Sequence, residues 1–144
     1  MKIEIRGLDE LIKKLSPELV SKPLGDFLKR SATEVKEEGR RRTVSSWYET
    51  GETANTITYE IDRANPPLWA KVGWLDVSPG STLWFKARAG EFGTGRQGDP
   101  AVSHTSRGGI RPRRMLRGGL ESSLSAIRGF LDRLGNEIRD RWEH

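Results

Sequence analysis

Eight apolar residues close to the C-terminus, Leu116, Leu120, Leu124, Ile127, Leu131, Leu134, Ile138 and Trp142, step by 4, 4, 3, 4, 3, 4 and 4 positions. Only a helical backbone gathers residues at that spacing on one side, so the chain is predicted to end in a long amphipathic helix. Opposite charges four apart, Arg128 and Asp132, Arg133 and Glu137, Glu137 and Arg141, fit a solvated outer face. Each such pair contributes only about 0.2–0.5 kcal/mol.

A second stripe of the same period follows Pro23: Leu24, Phe27, Leu28, Ser31, Ala32 and Val35, with Lys29, Arg30, Lys36 and Glu37 outside it. It predicts a helix of about 20 residues reaching near Thr43. Arg40, Arg41 and Arg42 would then occupy its last turn, where cations complement the helix dipole; a partner-binding role is the alternative. Before it, Ile3 and Ile5 alternate with polar residues in a short strand, and Gly7 breaks the strand. Leu8, Leu11, Ile12 and Leu15 then have the spacing of a short helix that Pro17 closes.

Between the two long stripes the period changes to two. Ile57, Tyr59 and Ile61 share a face, Ala64-Asn65-Pro66-Pro67 turns the chain, Trp69 to Trp74 alternates again, and Ser78-Pro79-Gly80 makes another turn. Ser81 to Arg88, rich in β-favouring Thr, Trp and Phe, is read as a further strand. Trp69, Trp74 and Trp84 could stack on bases, but aromatic residues on neighbouring strands more often cover a helix or each other. The fold class expected is α+β: a short N-terminal strand and helices, an antiparallel sheet of three to four strands, and a long C-terminal helix. At 144 residues, one domain with one core is expected over 1–144.

The chain contains no cysteine, which removes disulfides and thiolate metal sites from consideration and suggests an intracellular setting. No apolar run approaches a membrane span, and MKIEIRGLDE lacks the apolar core of a secretory signal, so neither a membrane nor an export route is expected.

The formal net charge is +5, and residues 95–117, with six arginines against Asp99, carry +5 by themselves. Arg96, Arg107, Arg111, Arg113, Arg114 and Arg117 are therefore the candidate contacts to a partner or to DNA. The stretch from Gly95 to Pro112 has four glycines, two prolines and no apolar period, and reads as a long basic surface loop, flexible until a partner binds. Arginine forks grip carboxylates and phosphates alike, so the segment does not itself choose between an acidic protein and a nucleic acid.

Within EFGTGRQGD at 91–99, Gly93, Gly95 and Gly98 spell G-x-G-x-x-G. The dinucleotide-binding use of that motif needs a strand before the first glycine and a helix starting at the last. Asp99-Pro100 follows instead, and the chain lacks alternating strand–helix units, so the glycines are read as turn residues. Catalytic material is sparse: the only histidines are His104 and His144, and no metal-binding spacing occurs. The expectation is a binding or assembly protein, not an enzyme, with no cofactor and no metal.

The order of these signals resembles the tail-completion, or head–tail joining, proteins of long-tailed bacteriophages and prophages, which include relatives of the minor tail protein Z. Gly7-Leu8-Asp9-Glu10-Leu11 with Leu15 is similar to the family's G-L-D-x-L-x-x-x-L opening, and Thr50-Gly51 with Thr56-Ile57 to its T-G-x-L-x-x-S-I element. Val72-Gly73 matches the V-G strand signal, Glu91-Phe92-Gly93-Thr94 the E-F-G-T that ends an aromatic-rich strand, and Arg111-Pro112 to Leu116-Arg117 the R-P-x-x-x-L-R element before a closing helix. Where the family places A-P-x-R-T-G, this chain has Ser46-Trp47-Tyr48-Glu49-Thr50-Gly51.

The resemblance implies a structural virion protein, assembled in the host cytoplasm and sited in the neck, that completes the head-proximal end of the tail and helps join it to the capsid. It implies self-association into a ring, a hexamer in the virion, next to tail terminator or tail-tube and head-completion proteins. The genomic DNA passing through would be a transient contact. A free-standing basic nucleic-acid-binding protein is the alternative.

Overall fold

The computed structural model describes residues 2–6, 16–46, 51–92 and 114–143. Along the chain lie β1 (Lys2–Arg6), α1 (Pro17–Ser46), α2 (Glu52–Asn55), β2 (Thr58–Ile61), β3 (Trp69–Gly73), α3 (Thr82–Phe92) and α4 (Met115–Glu143). This is the expected α+β architecture with its long C-terminal helix. The predicted helix at Leu8–Leu15 lies outside the described residues.

The three strands form one antiparallel sheet in the order β1-β3-β2. Val72 stands opposite Ile3 on one side and Tyr59 on the other, and Lys71 opposite Glu4 and Glu60. Because side chains alternate along a strand, this register puts Val72 and Ala70 on the helix side and Lys71 on the outer side, where its Nζ sits 3.8 Å from Glu4 Oε1 and 4.2 Å from the Trp69 ring centre. In the β2–β3 connection Asp62 accepts the N–H groups of Ala64 (3.1 Å) and Leu68 (3.0 Å), which fixes the turn around a cis Asn65–Pro66 bond.

On the inner face, Leu24, Phe27, Leu28, Ala32 and Val35 of α1 bury against Ile57, Ala70, Val72 and Trp74 and against Met115, Leu116 and Leu134 of α4. The stripe read from α1 is thus the core stripe, Ser31 included. The Ser31 hydroxyl is fully buried and has no hydrogen-bond partner among the described residues. Ser31→Ala should therefore raise stability by about 1 kcal/mol in chemical denaturation, since a desolvated, unpaired hydroxyl is removed at almost no packing cost.

Three sequence expectations change. First, α1 starts at Pro17 rather than after Pro23, which lies buried inside the helix. Ser16 precedes Pro17, the Ser16 carbonyl accepts Leu19 N–H at 3.1 Å, and Glu18 holds the first turn. Proline at the first helical position loses a donor that no helix uses there, so Ser16-Pro17-Glu18 is a start signal. The Glu18 carboxyl is held below its ordinary range by its backbone N–H and then by the Ser16 hydroxyl.

Second, because α1 runs on to Ser46, Arg40, Arg41 and Arg42 are not in its last turn. They act as side-chain ties instead: Arg40 donates to Asn55 Oδ1 of α2 (2.8 Å), Arg41 pairs with Glu38 (2.6 Å), and Arg42 Nη2 donates to the Ser122 hydroxyl on α4.

Third, the residues 81–88 read as a strand belong to the helix α3. Ser81 caps it, its hydroxyl accepting Trp84 N–H at 3.2 Å and its carbonyl Phe85 N–H at 3.1 Å. Ala87, Gly90 and Glu91 then fall on its buried side at helical spacing. Tertiary burial outweighs the β preference of Thr82, Trp84 and Phe85, which amounts to only about 1 kcal/mol across the whole scale.

The two long helices pack closely at one level. A Cβ at Gly119 of α4 would lie 2.9 Å from Gly39 N, 3.1 Å from Gly39 Cα and 3.3 Å from the Val35 carbonyl, all backbone atoms of α1. Two buried hydroxyls flank the crossing and turn inward to their own helices, Thr43 Oγ1 to the Gly39 carbonyl and Ser123 Oγ to the Gly119 carbonyl, both at 2.7 Å. Each is thereby satisfied without holding the helices apart.

Candidate partner interface at the base of the arginine segment

Helix α4 begins where the basic segment ends, and its first turn must find acceptors for N–H groups that no earlier helical carbonyl reaches. Usually a Ser, Thr, Asp or Asn at the N-cap does this. Here the N-cap position is Arg114, whose side chain carries no acceptor. Glu91, the penultimate residue of α3, supplies one from elsewhere in the chain: its Oε2 accepts Leu116 N–H at 2.8 Å and its Oε1 accepts Arg117 N–H at 3.0 Å. The carboxylate is buried, only 8% exposed, and its negative charge faces the positive end of the α4 dipole.

One side chain therefore joins the end of α3 to the start of α4 and fixes both flanks of 93–113. Arg114 itself adopts a left-handed φ of 48°, a conformation costing a non-glycine residue about 1–2 kcal/mol, and its carbonyl accepts Gly118 N–H at 2.6 Å. The chain thus makes a sharp entry into α4 that the Glu91 carboxylate holds in place.

Of the six candidate arginines, Arg114 and Arg117 are described, and both are exposed at this junction. Arg117 Nε lies 3.4 Å from Glu121 Oε1 with both side chains mostly in solvent, a pair worth about 0–1 kcal/mol and easily exchanged for a partner's anion. Arg96, Arg107, Arg111 and Arg113 lie outside the described residues, as do His104, His144 and the glycines of G-x-G-x-x-G. What precedes Gly93 is nevertheless clear: it is the helix α3. Glu91-Phe92, the described part of the E-F-G-T element expected to end a strand, end a helix, so the residues leading into Gly93 are not the strand that the dinucleotide fingerprint requires.

The same helix contributes aromatic surface that sequence reading assigned to a sheet. Phe85 and Phe92, seven residues apart and so on one side of α3, are 40% and 61% exposed. Trp84 packs edge-on against Phe85 with ring centres 5.1 Å apart, and the Arg88 guanidinium lies 5.1 Å from the Trp84 ring centre. The other two tryptophans considered for base stacking differ. Trp74 is buried and donates its indole N–H to the Thr53 carbonyl at 2.8 Å, a structural role; Trp69 carries Lys71 over its ring.

Elsewhere, an open cleft of about 470 Å³ is lined by Asn55, Thr56, Thr58, Asp76, Ser78 and Ser81 together with Val77 and Leu83. It offers hydroxyls and one carboxylate, with no Lys, Arg or His to serve as a partner acid or base. Among the described residues no three His, Cys, Asp or Glu side chains converge as a metal site would require, and no helix is long and apolar enough to cross a membrane.

No protein-family model matches the chain, and it has no match among curated proteins or among solved structures.

Proposed function

We propose that this protein is a structural component of a phage neck, which completes the head-proximal end of the tail and helps join it to the capsid. The observation that carries this reading is the Glu91 junction. The chain spends a buried carboxylate on tying together the end of α3 and the start of α4, the two ends between which its one strongly basic segment runs in the sequence. The order of family-like motifs along almost the entire chain supports the same role. In a ring, such an arm from each subunit would face the same way, toward an adjoining ring or toward the DNA passage.

The test removes charge without touching the core: Arg96, Arg107, Arg111, Arg113, Arg114 and Arg117 all changed to Ala. The expected result is an unchanged melting temperature within about 2 °C together with heads and tails that accumulate unjoined, scored by electron microscopy of lysates. If the segment lines the DNA passage, duplex affinity is weak and falls with salt at a slope of about −0.9 per phosphate neutralised. Normal yields of joined particles from the six-alanine variant would overturn the proposal.

A second reading, a free-standing nucleic-acid-binding protein, is favoured by one observation: α3 exposes Phe85 and Phe92 and sets the Arg88 guanidinium 5.1 Å from the Trp84 ring centre. That reading requires Phe85→Ala and Phe92→Ala each to weaken single-stranded nucleic-acid binding by about 1–3 kcal/mol. Under the neck reading these substitutions leave such binding, already weak, unchanged.

A further inference from the structure

The apolar stripe of α4 is wider than its neighbours can cover. Leu134 is buried against α1, but Leu124, Leu131 and Trp142 on the adjacent shoulder remain 45%, 43% and 62% exposed. The shoulder from Leu124 to Trp142 extends about 27 Å along one side of the helix. An apolar ridge of that length on an otherwise charged helix marks a contact surface.

The charges along its solvent flank identify the occupant. Arg117, Glu121, Arg128, Asp132, Arg139 and Glu143 are all exposed, alternate in sign, and are spaced 4, 7, 4, 7 and 4 residues apart. The spacing reads the same in both directions while the signs invert. Turned end for end about the level of Phe130, the flank therefore meets its own complement: Arg117 opposite the partner's Glu143, Glu121 opposite the partner's Arg139, and Arg128 opposite the partner's Asp132. The same operation brings Leu131 to within two residues of the level of the partner's Leu131, about 3 Å along the axis, and Leu124 to within two residues of the level of the partner's Ile138. A parallel, in-register pair would set like charges level with each other. We infer that two copies of this chain pair through antiparallel α4 helices, with Leu124, Leu131 and Trp142 as the buried seam. The contact is isologous, with each flank pair occurring twice by symmetry. It is independent of the role proposed for the arginine segment.

Local i,i+4 pairing also uses these charges, and Arg117–Glu121 is such a pair. The test must therefore separate contacts within one helix from contacts between two. Glu121 and Arg139 are 18 residues apart, about 27 Å along α4, and cannot touch within a chain. Sedimentation equilibrium of the full chain is expected to show a dimer, with Glu121→Arg or Arg139→Glu alone each raising the dissociation constant roughly tenfold. The double reversal should restore it to within about threefold of the original value. Leu131→Asp should give a monomer with an unchanged far-UV circular dichroism spectrum, because Leu131 lies outside the core.

The absence of cysteine allows a second readout. Leu131→Cys should form an intermolecular disulfide on oxidation. Leu124→Cys should not, since its two copies would lie about 18 Å apart along the axis. A chain that is monomeric at about 100 µM overturns the inference. So does a double reversal whose effect is the sum of the two singles, or a Leu124→Cys variant that cross-links as readily as Leu131→Cys.

Discussion

Gly119→Ala is expected to destabilise the fold by about 1–3 kcal/mol in urea or guanidinium unfolding, although alanine is the better helix former by about 1 kcal/mol. The new methyl would point into the backbone of α1, at 2.9 Å from Gly39 N and 3.1 Å from Gly39 Cα, and backbone cannot step aside as the tip of a side chain can. The helices must separate, and the separation loosens Val35, Leu116 and Met115 in the core on either side of the crossing. Gly135→Ala on the same helix is the control. A Cβ there meets nothing within 4 Å, so it should stabilise by up to about 1 kcal/mol. Gly118 lies between these extremes, since its Cβ would meet Arg42 Nη1 at 2.7 Å, the movable end of a long side chain. If Gly119→Ala and Gly135→Ala have the same sign of effect, the close crossing of α1 and α4 is wrong.

Glu91→Ala is the second large effect. It removes two hydrogen bonds from a buried carboxylate and leaves the Leu116 and Arg117 N–H groups without their acceptor, at an expected cost of about 3 kcal/mol. Glu91→Gln should cost about 2 kcal/mol, because one amide oxygen still accepts while the –NH2 group confronts the other donor. The local signature distinguishes this from general destabilisation: under native conditions, hydrogen exchange of the Leu116 and Arg117 amides should accelerate more than that of the α1 core amides. The functional consequence follows from the anchoring role. A Glu91 variant keeps every arginine yet loses the fixed entry at Arg114, so under the proposed neck role head–tail joining should fall in parallel with the six-alanine variant. Unchanged exchange at Leu116 and Arg117 in Glu91→Gln would show that the carboxylate is not the cap of α4.

Much of the body is legible from residue spacing. The α1 stripe from Leu24 to Val35 and the strands around Tyr59 and Val72 are read correctly, since a regular backbone with one buried side imposes its period directly on the chain. The start of α1 was also written locally, in Ser16-Pro17-Glu18, but Pro17 could equally be read as the end of an earlier helix. The helix α3 was harder. Its Thr82, Trp84 and Phe85 favour strands, and the contrary signals are a single N-cap serine after Gly80 and the helix-forming Ala87 and Ala89. At the candidate interface the six arginines stand out by charge alone, whereas Glu91 looks like any other acid in a chain with twenty of them. Its role depends on a position 25 residues further on, a separation that carries no period and no motif.

Residue order is enough to say which stretches become helix or strand wherever periodicity is strong, that one segment holds the excess positive charge, and that thiol chemistry is absent, because period, charge and composition are properties of the chain before it folds. Folding in three dimensions makes residues 82–92 helical rather than extended, brings Gly39 and Gly119 together, lets Glu91 cap a helix other than its own, and leaves Leu124, Leu131 and Trp142 exposed. Each of those outcomes turns on which distant surfaces compete for the same space, and contact between surfaces far apart in the chain is settled by packing and desolvation across the whole fold rather than by local preference.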